Sequence, residues 1–137
     1  MNFEYPAKII IAWAEAIGGN KEIRDWLMAN GYPELGIFIF ALHNKQEARD
    51  WLLTNGHPHL MALINGVEGN PNAILWLRKY ELDVLAKMAQ AGDNSEEAMI
   101  WLHANGFADM AKVAGKIRII KNEIESSNND MHKISPE

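Results

Sequence analysis

The stretch that decides the fold is residues 47–70, EARDWLLTNGHPHLMALINGVEGN, because the rest of the chain reads as variations on it. Its Trp-Leu pair recurs with a stride of 25 residues, at Trp26, Trp51, Trp76 and Trp101. A self-similar period of about 20 to 50 residues is typical of a solenoid, in which one small unit stacks on copies of itself. The pattern therefore predicts an architecture before it predicts an activity.

Each unit reads as two short helices joined by a turn. Asn-Gly pairs at 30–31, 55–56 and 105–106 mark the end of the first helix, since glycine takes the left-handed conformation without a Cβ penalty. Pro33 and Pro58 follow two residues later, where the start of a second helix needs no N–H. Apolar residues then recur at helical spacing, as in Leu60, Leu63, Ile64 and Val67. Helices this short depend on stacking, because they are marginal alone.

The units combine into one predicted domain over residues 1–126. We expect an all-α, right-handed superhelical solenoid of four 25-residue hairpins, starting near residues 21, 45, 71 and 95. Residues 5–18 match a second helix without its first, so they predict an N-terminal half-repeat cap. The last helix continues from about Ala108 to about Ser126, and each end of the array is expected to lack a neighbour on one flank. Residues 127–137 are polar and predict a disordered tail.

The third hairpin departs from the pattern. Tyr80-Glu81 replaces the Asn-Gly pair and Asp83 replaces the proline, so we expect Asp83 to be the N-cap of the next helix. In the fourth hairpin, Asn94 or Ser95 is the expected N-cap, with Glu97 completing an approximate capping box.

The recurring tryptophans are interpreted as structural. Each occupies the same register, so we expect all four to be wedged between adjoining hairpins and buried. Trp13 lies outside that register, and the sequence predicts that it is more exposed.

The repeated motif supports a comparison with known families. Its pattern, Glu-Ala-x-x-Trp-Leu-x-x-Asn-Gly-x-Pro-x-Leu-x-x-Leu in residues 47–63, resembles armadillo and HEAT-type α-solenoids, with a shorter period. In spacing it is similar to the leucine-rich-variant repeat, and it also looks like small bacterial helical-repeat proteins. The resemblance covers residues 5–126 and implies protein–protein or, in some members, nucleic-acid recognition. It carries no catalytic residue to this chain.

Composition narrows the classes of function. The chain has 137 residues, a net charge of −5 and no cysteine, which disfavours a nucleic-acid backbone as partner and excludes disulfides and thiolate metal sites. The apolar run near Ile9 is interrupted by Glu15 and lacks a basic leader, so it does not predict an export signal. No segment predicts a membrane span. A soluble cytoplasmic protein is the expectation.

Candidate chemistry is sparse. His57 and His59 are the only close histidine pair, but no third ligand has a matching spacing, so the sequence predicts no metal site, cofactor or catalytic residue. His43, His103 and His132 are expected at the surface. An enzyme of unknown chemistry is the third-ranked alternative. Nucleic-acid binding is the second, on the only basic cluster, Lys112, Lys116, Arg118 and Lys121.

The favoured function is protein–protein interaction, with another protein or a second copy of this chain. In the first two hairpins an Arg-Asp pair precedes the tryptophan, whereas in the last two an apolar pair stands at the same place. Residues 37–40 are a second stretch with more apolar residues than the core-facing side of a helix needs. Apolar patches of this kind mark partner sites when they are exposed. Two possibilities remain for the apolar pairs, exposure or cover by the C-terminal helix. The predicted partner-binding residues are Ile74, Leu75, Met99, Ile100, Ile37 and Phe40.

Overall fold

The computed structural model describes the backbone of residues 3–134 and the side chains of residues 3–128. Within this part of the chain every regular element is an α-helix, which confirms the all-α prediction. The nine described helices are α1 (Ala7–Ile17), α2 (Lys21–Ala29), α3 (Pro33–Leu42), α4 (Gln46–Thr54), α5 (Pro58–Val67), α6 (Pro71–Lys79), α7 (Asp83–Gly92), α8 (Glu96–Ala104) and α9 (Ala108–Ile134).

The helices form two sets. The inner helices α1, α3, α5, α7 and α9 contact one another, whereas each outer helix, α2, α4, α6 or α8, contacts within the described residues only the inner helices before and after it. Helix α1 also packs against α9, so the first and last helices of the chain are neighbours. The expectation that each end lacks a neighbour on one flank is therefore wrong. The inner helices close on themselves because α9 returns to α1.

The turns are built alike. After each of α1 to α8 one residue has a positive φ, and the next N–H donates to the carbonyl five residues back, as Tyr32 does to Leu27 at 3.0 Å. This bond is the six-to-one bond of a Schellman motif, which satisfies carbonyls left open at a helix end. The predicted glycines occupy this position at residues 31, 56 and 106, and Glu81 adopts it at φ 59° where glycine is replaced.

Two capping predictions had different outcomes. Ser95 is the N-cap of α8, and its Oγ accepts a hydrogen bond from the Ala98 N–H at 3.1 Å. Asp83 is the first residue of α7 rather than its N-cap, which is Leu82 without a side-chain cap. The N–H of Leu82 is already bonded to Leu77, which fixes the start of α7 one residue earlier than predicted.

The core lies among the inner helices and corrects the interpretation of the tryptophans. Trp13 is 0% exposed, and its Nε1–H donates to the Leu35 carbonyl at 3.0 Å. Trp26 is 49% exposed, and the other three recurring tryptophans are half-buried. Each outer helix instead buries the leucine that follows its tryptophan, at Leu27, Leu52, Leu77 and Leu102. Adjacent residues point about 100° apart on a helix, so the leucine and the tryptophan do not both face the core.

Helix α9 holds the closure together. Lys112 pairs with Glu15 of α1 at 3.4 Å, and Arg118 pairs with Glu96 of α8 at 2.7 Å.

Helix α9 runs eight residues beyond its expected end near Ser126, because residues 116–134 contain neither glycine nor proline. Of the predicted tail, residues 135–137 lie outside the described part of the chain.

The spacing between inner helices depends on small residues. A Cβ on Gly66 of α5 would lie 2.7 Å from the Cβ of Ala89 in α7, and one on Gly92 would lie 2.8 Å from Cγ2 of Val67. These glycines let α5 and α7 approach closely. Counted back in steps of 25 residues, the positions in α3 that correspond to Gly66 and Gly92 are Ala41 and Leu42. Helix α3 packs more sparsely against the neighbouring inner helices than α5 and α7 pack against each other. Open space is left beside α3.

Candidate functional site: the cleft between helices α3 and α4

The predicted partner-binding residues lie in two regions. Ile37 and Phe40 are half-buried on α3. On the outer helices, Leu75 of α6 is 62% exposed and Ile100 of α8 is 66% exposed, so α9 covers neither of them. Each is preceded by a half-buried residue that packs on the core, Ile74 and Met99. The two apolar pairs are thus each divided between surface and core, since adjacent residues diverge around a helix.

A cleft of about 590 Å³ separates α3 from α4. It is mostly apolar, and charged groups stand where α4 begins. Its lining consists of Ile37, Phe40, Lys45, Gln46, Glu47, Ala48 and Trp51. Two of the six predicted residues therefore meet a recurring tryptophan in one concave surface.

Each of the two aromatic side chains that line the cleft also contacts another side chain of the protein. The Trp51 ring stacks on His57, with ring centroids 5.7 Å apart and planes 9° apart. The guanidinium of Arg24 stands over the Phe40 ring, 4.6 Å from its centroid. Phe40 also lines a second cleft of about 400 Å³, on the side of α1 and α2. These contacts hold the two rings that line the α3–α4 cleft in place.

Trp51 is the site residue that sequence reasoning missed. The recurrence of its register predicts a buried position, but in the structure Trp51 is half-buried and lines the cleft. The sequence does contain a signal for this exposure, namely the leucine that follows each of the four recurring tryptophans, which is Leu52 here. When a short helix packs against other helices on one side only, one of two adjacent residues faces the protein core and the other faces away from it.

The predicted basic cluster is largely engaged within the chain. Besides the pairs that Lys112 and Arg118 make, the buried Lys121 ammonium contacts Asp93 Oδ1 at 2.7 Å and Glu125 Oε1 at 3.2 Å. Burial lowers the pKa of Lys121, but the hydrogen bonds to these two carboxylates outweigh it and raise the pKa above its ordinary value. These cations stabilise the position of α9 and do not form a row of free charges.

The histidines occupy different environments. His57 stacks on Trp51, and His59 is 1% exposed, with its ring centroid 6.0 Å from that of His57. His43 and His103 are exposed as predicted, and the side chain of His132 lies outside the described residues. Among the described side chains, no group of three or more histidine, aspartate or glutamate residues is placed to hold a metal ion.

No helix in the described part of the chain is long and apolar enough to cross a membrane. Comparison of the chain with models of protein families, with curated proteins and with solved structures gives no match.

Proposed function

We propose that the protein is a non-enzymatic scaffold for protein–protein interaction, and that a partner protein inserts a side chain into the α3–α4 cleft. The observation that carries this proposal is the convergence of Ile37, Phe40 and Trp51 on one apolar cleft. Aromatic residues in concave, apolar surroundings dominate the binding energy of protein interfaces. A cysteine-free chain suits a reducing cytoplasm, which is the location that we propose.

The same proposal includes the architecture. We infer that the four hairpins are copies of a 25-residue repeat in an α-α superhelix, because the outer helices begin at residues 21, 46, 71 and 96 and the inner ones at 33, 58, 83 and 108. The N-terminal half-repeat α1 and the long α9 then meet and close the array. Repeat proteins bind their partners on the concave surfaces that the stacked units form. Ile37 and Phe40 line a concave surface here, and they differ from the residues 25 positions later, Ala62 and Asn65.

Of the alternatives, self-association keeps one specific support. Leu75 and Ile100 are large apolar side chains exposed at the same register of two outer helices. Nucleic-acid binding has no such support, because three of the four basic residues proposed for it pair with carboxylates of this chain, namely Lys112, Arg118 and Lys121.

A display experiment tests the cleft. Peptides selected from a random library on the immobilised protein are measured against wild type and against Ile37→Lys, which extends a long side chain into the cleft. We expect most selected peptides to lose binding by about tenfold or more, the loss expected when an interface anchor of about 1.4 kcal/mol or more is blocked.

The control is His103→Lys, which adds the same charge at an exposed register where α6 already carries Arg78. Its binding should equal that of wild type. Selected peptides that bind Ile37→Lys as tightly as wild type would remove the α3–α4 cleft as the binding site.

A further inference from the structure

A lysine of this chain stands over one of the recurring tryptophans. At the junction of α7 and α8, the Nζ of Lys87 stands over the Trp101 ring, 5.4 Å from its centroid. The same ring stacks on Phe107, with centroids 6.0 Å apart and planes 9° apart. A cation over the face of tryptophan is attracted by the negative potential of the ring, and tryptophan is the best aromatic partner for it. The α7–α8 junction thus shows how a lysine can lie over a recurring tryptophan in this molecule.

The α3–α4 cleft is the same junction two units earlier. Subtracting 50 from Lys87, Trp101 and Phe107 gives Ile37, Trp51 and His57. The tryptophan and its stacked ring are both kept, because His57 lies on Trp51 at the same 9° that Phe107 makes with Trp101. The lysine is replaced by the shorter, uncharged Ile37, and among the described residues no lysine or arginine stands over Trp51.

We propose that the α3–α4 cleft takes a basic side chain of a protein partner, lysine or arginine, with its charged end over the Trp51 ring. This inference rests on the proposed function and names the chemistry of the inserted side chain. The methylene stem would pack on Ile37, Phe40 and Ala48, as the stems of long basic side chains do on apolar surface. The charged end keeps contact with water at the open side of the cleft.

The charges around the cleft have both signs. The exposed Glu47 offers a carboxylate at the start of α4, while the exposed Lys45 beside it opposes a cation there. Arg24, whose guanidinium stands over Phe40 and pairs with Asp25 at 3.1 Å, is a second cation beside the cleft. The net charge of −5 attracts basic partners over distance at low salt. Glu47 and the negative net charge favour a cation, whereas Lys45 and Arg24 oppose it, so the Trp51 ring and its match with the Lys87–Trp101 pair carry the choice of a basic side chain.

Two tripeptides measure the effect of the charge alone. Acetyl-Gly-Lys-Gly-amide and its norleucine counterpart have side chains of similar length, but only the first is charged. The readout is the indole N–H signal of Trp51 in a ¹⁵N-labelled sample, assigned with Trp51→Phe. We expect the lysine peptide to shift this signal and to bind about two- to fivefold tighter than the norleucine peptide, the range for an exposed cation–π contact.

A reciprocal pair of variants sharpens the test. Ile37→Lys should fill the cleft from within the chain, so that the Trp51 signal no longer responds to the lysine peptide. Lys87→Ile should open the equivalent cleft, so that the Trp101 signal begins to respond. Circular dichroism of both variants checks that they are folded, and the unchanged response of Trp51 in Lys87→Ile is an internal control.

The outcomes separate the two proposals. If the norleucine peptide binds as tightly as the lysine peptide, the cleft is an apolar pocket and the inference about charge is wrong, while the proposed function stands. If display-selected peptides depend on Ile37 but the lysine peptide leaves Trp51 unchanged, the inference is again wrong alone. If neither tripeptide shifts the Trp51 signal and no selected peptide depends on Ile37, both proposals are wrong.

Discussion

The inner and outer helices use the same residue types to different ends. On the inner helices, Trp13 and Phe38 are fully buried, and their rings meet with centroids 5.0 Å apart. On the outer helices the large side chain that is fully buried is the leucine after each tryptophan, and Trp26 and Trp51 reach the surface. An outer helix touches partners on one side alone, so most of its surface stays open to solvent. Stability is therefore concentrated in the inner set, whereas the outer set leaves more of its apolar side chains exposed to solvent.

The substitution with the largest expected effect on stability replaces a buried tryptophan of an inner helix by alanine. Trp13→Ala should lower the free energy of unfolding by about 3 to 5 kcal/mol, because it leaves a cavity where the indole packs on Phe38. It also removes the donor to the Leu35 carbonyl. Urea denaturation followed by circular dichroism measures the loss.

Trp26→Ala is the matched control. Its side chain is about half exposed, so the cost should be under about 1 kcal/mol, near the range of surface substitutions. Equal losses for Trp13→Ala and Trp26→Ala would show that inner and outer helices contribute alike to stability and would break the comparison.

The second test concerns the close approach of inner helices. Gly66→Ala places a Cβ 2.7 Å from the Cβ of Ala89 and 3.0 Å from Cδ1 of Ile74, so the backbones of α5 and α7 must separate. Overpacking of this kind should cost about 1 to 3 kcal/mol, less than the cavity at Trp13. Thermal or urea unfolding monitored at the helical signal is a suitable measurement.

Gly115→Ala in α9 provides the control, because a Cβ there meets nothing within 4 Å. This substitution should raise the free energy of unfolding by about 0.5 to 1 kcal/mol, the penalty of glycine inside a helix. A stabilising effect at Gly66 as well would mean that α5 and α7 do not approach each other closely at this residue.

Local features of the fold were predictable from sequence. Pro33 and Pro58 begin α3 and α5 as predicted, and glycine follows the outer helices wherever the Asn-Gly pair occurs. These features depend on a few neighbouring residues, through the fixed φ of proline and the conformational freedom of glycine. Ser95 capping α8 belongs to the same class.

Features that depend on distant residues were not predictable. The burial of Trp13 requires α3 across from it, and the packing of α1 on α9 joins helices at opposite ends of the chain. No pattern within one repeat carries that information. For the candidate site, the surplus of Ile37 and Phe40 was visible in sequence, but the role of Trp51 was not, since its exposure follows from how few partners an outer helix has.

The smallest expected effect lies at the exposed register of the outer helices. Leu75→Asp and Ile100→Asp should change the free energy of unfolding by less than about 0.5 kcal/mol, since both side chains point to solvent and Asp25 and Asp50 hold the same register in α2 and α4. A larger loss would show that this face contributes to the core after all. The mass of each variant in solution, compared with wild type, then decides what the exposed residues do. A lower mass in the variants identifies a surface where two copies meet, because a buried carboxylate would oppose that contact. An unchanged mass, with unchanged peptide binding, leaves the α3–α4 cleft as the sole binding surface proposed for this molecule.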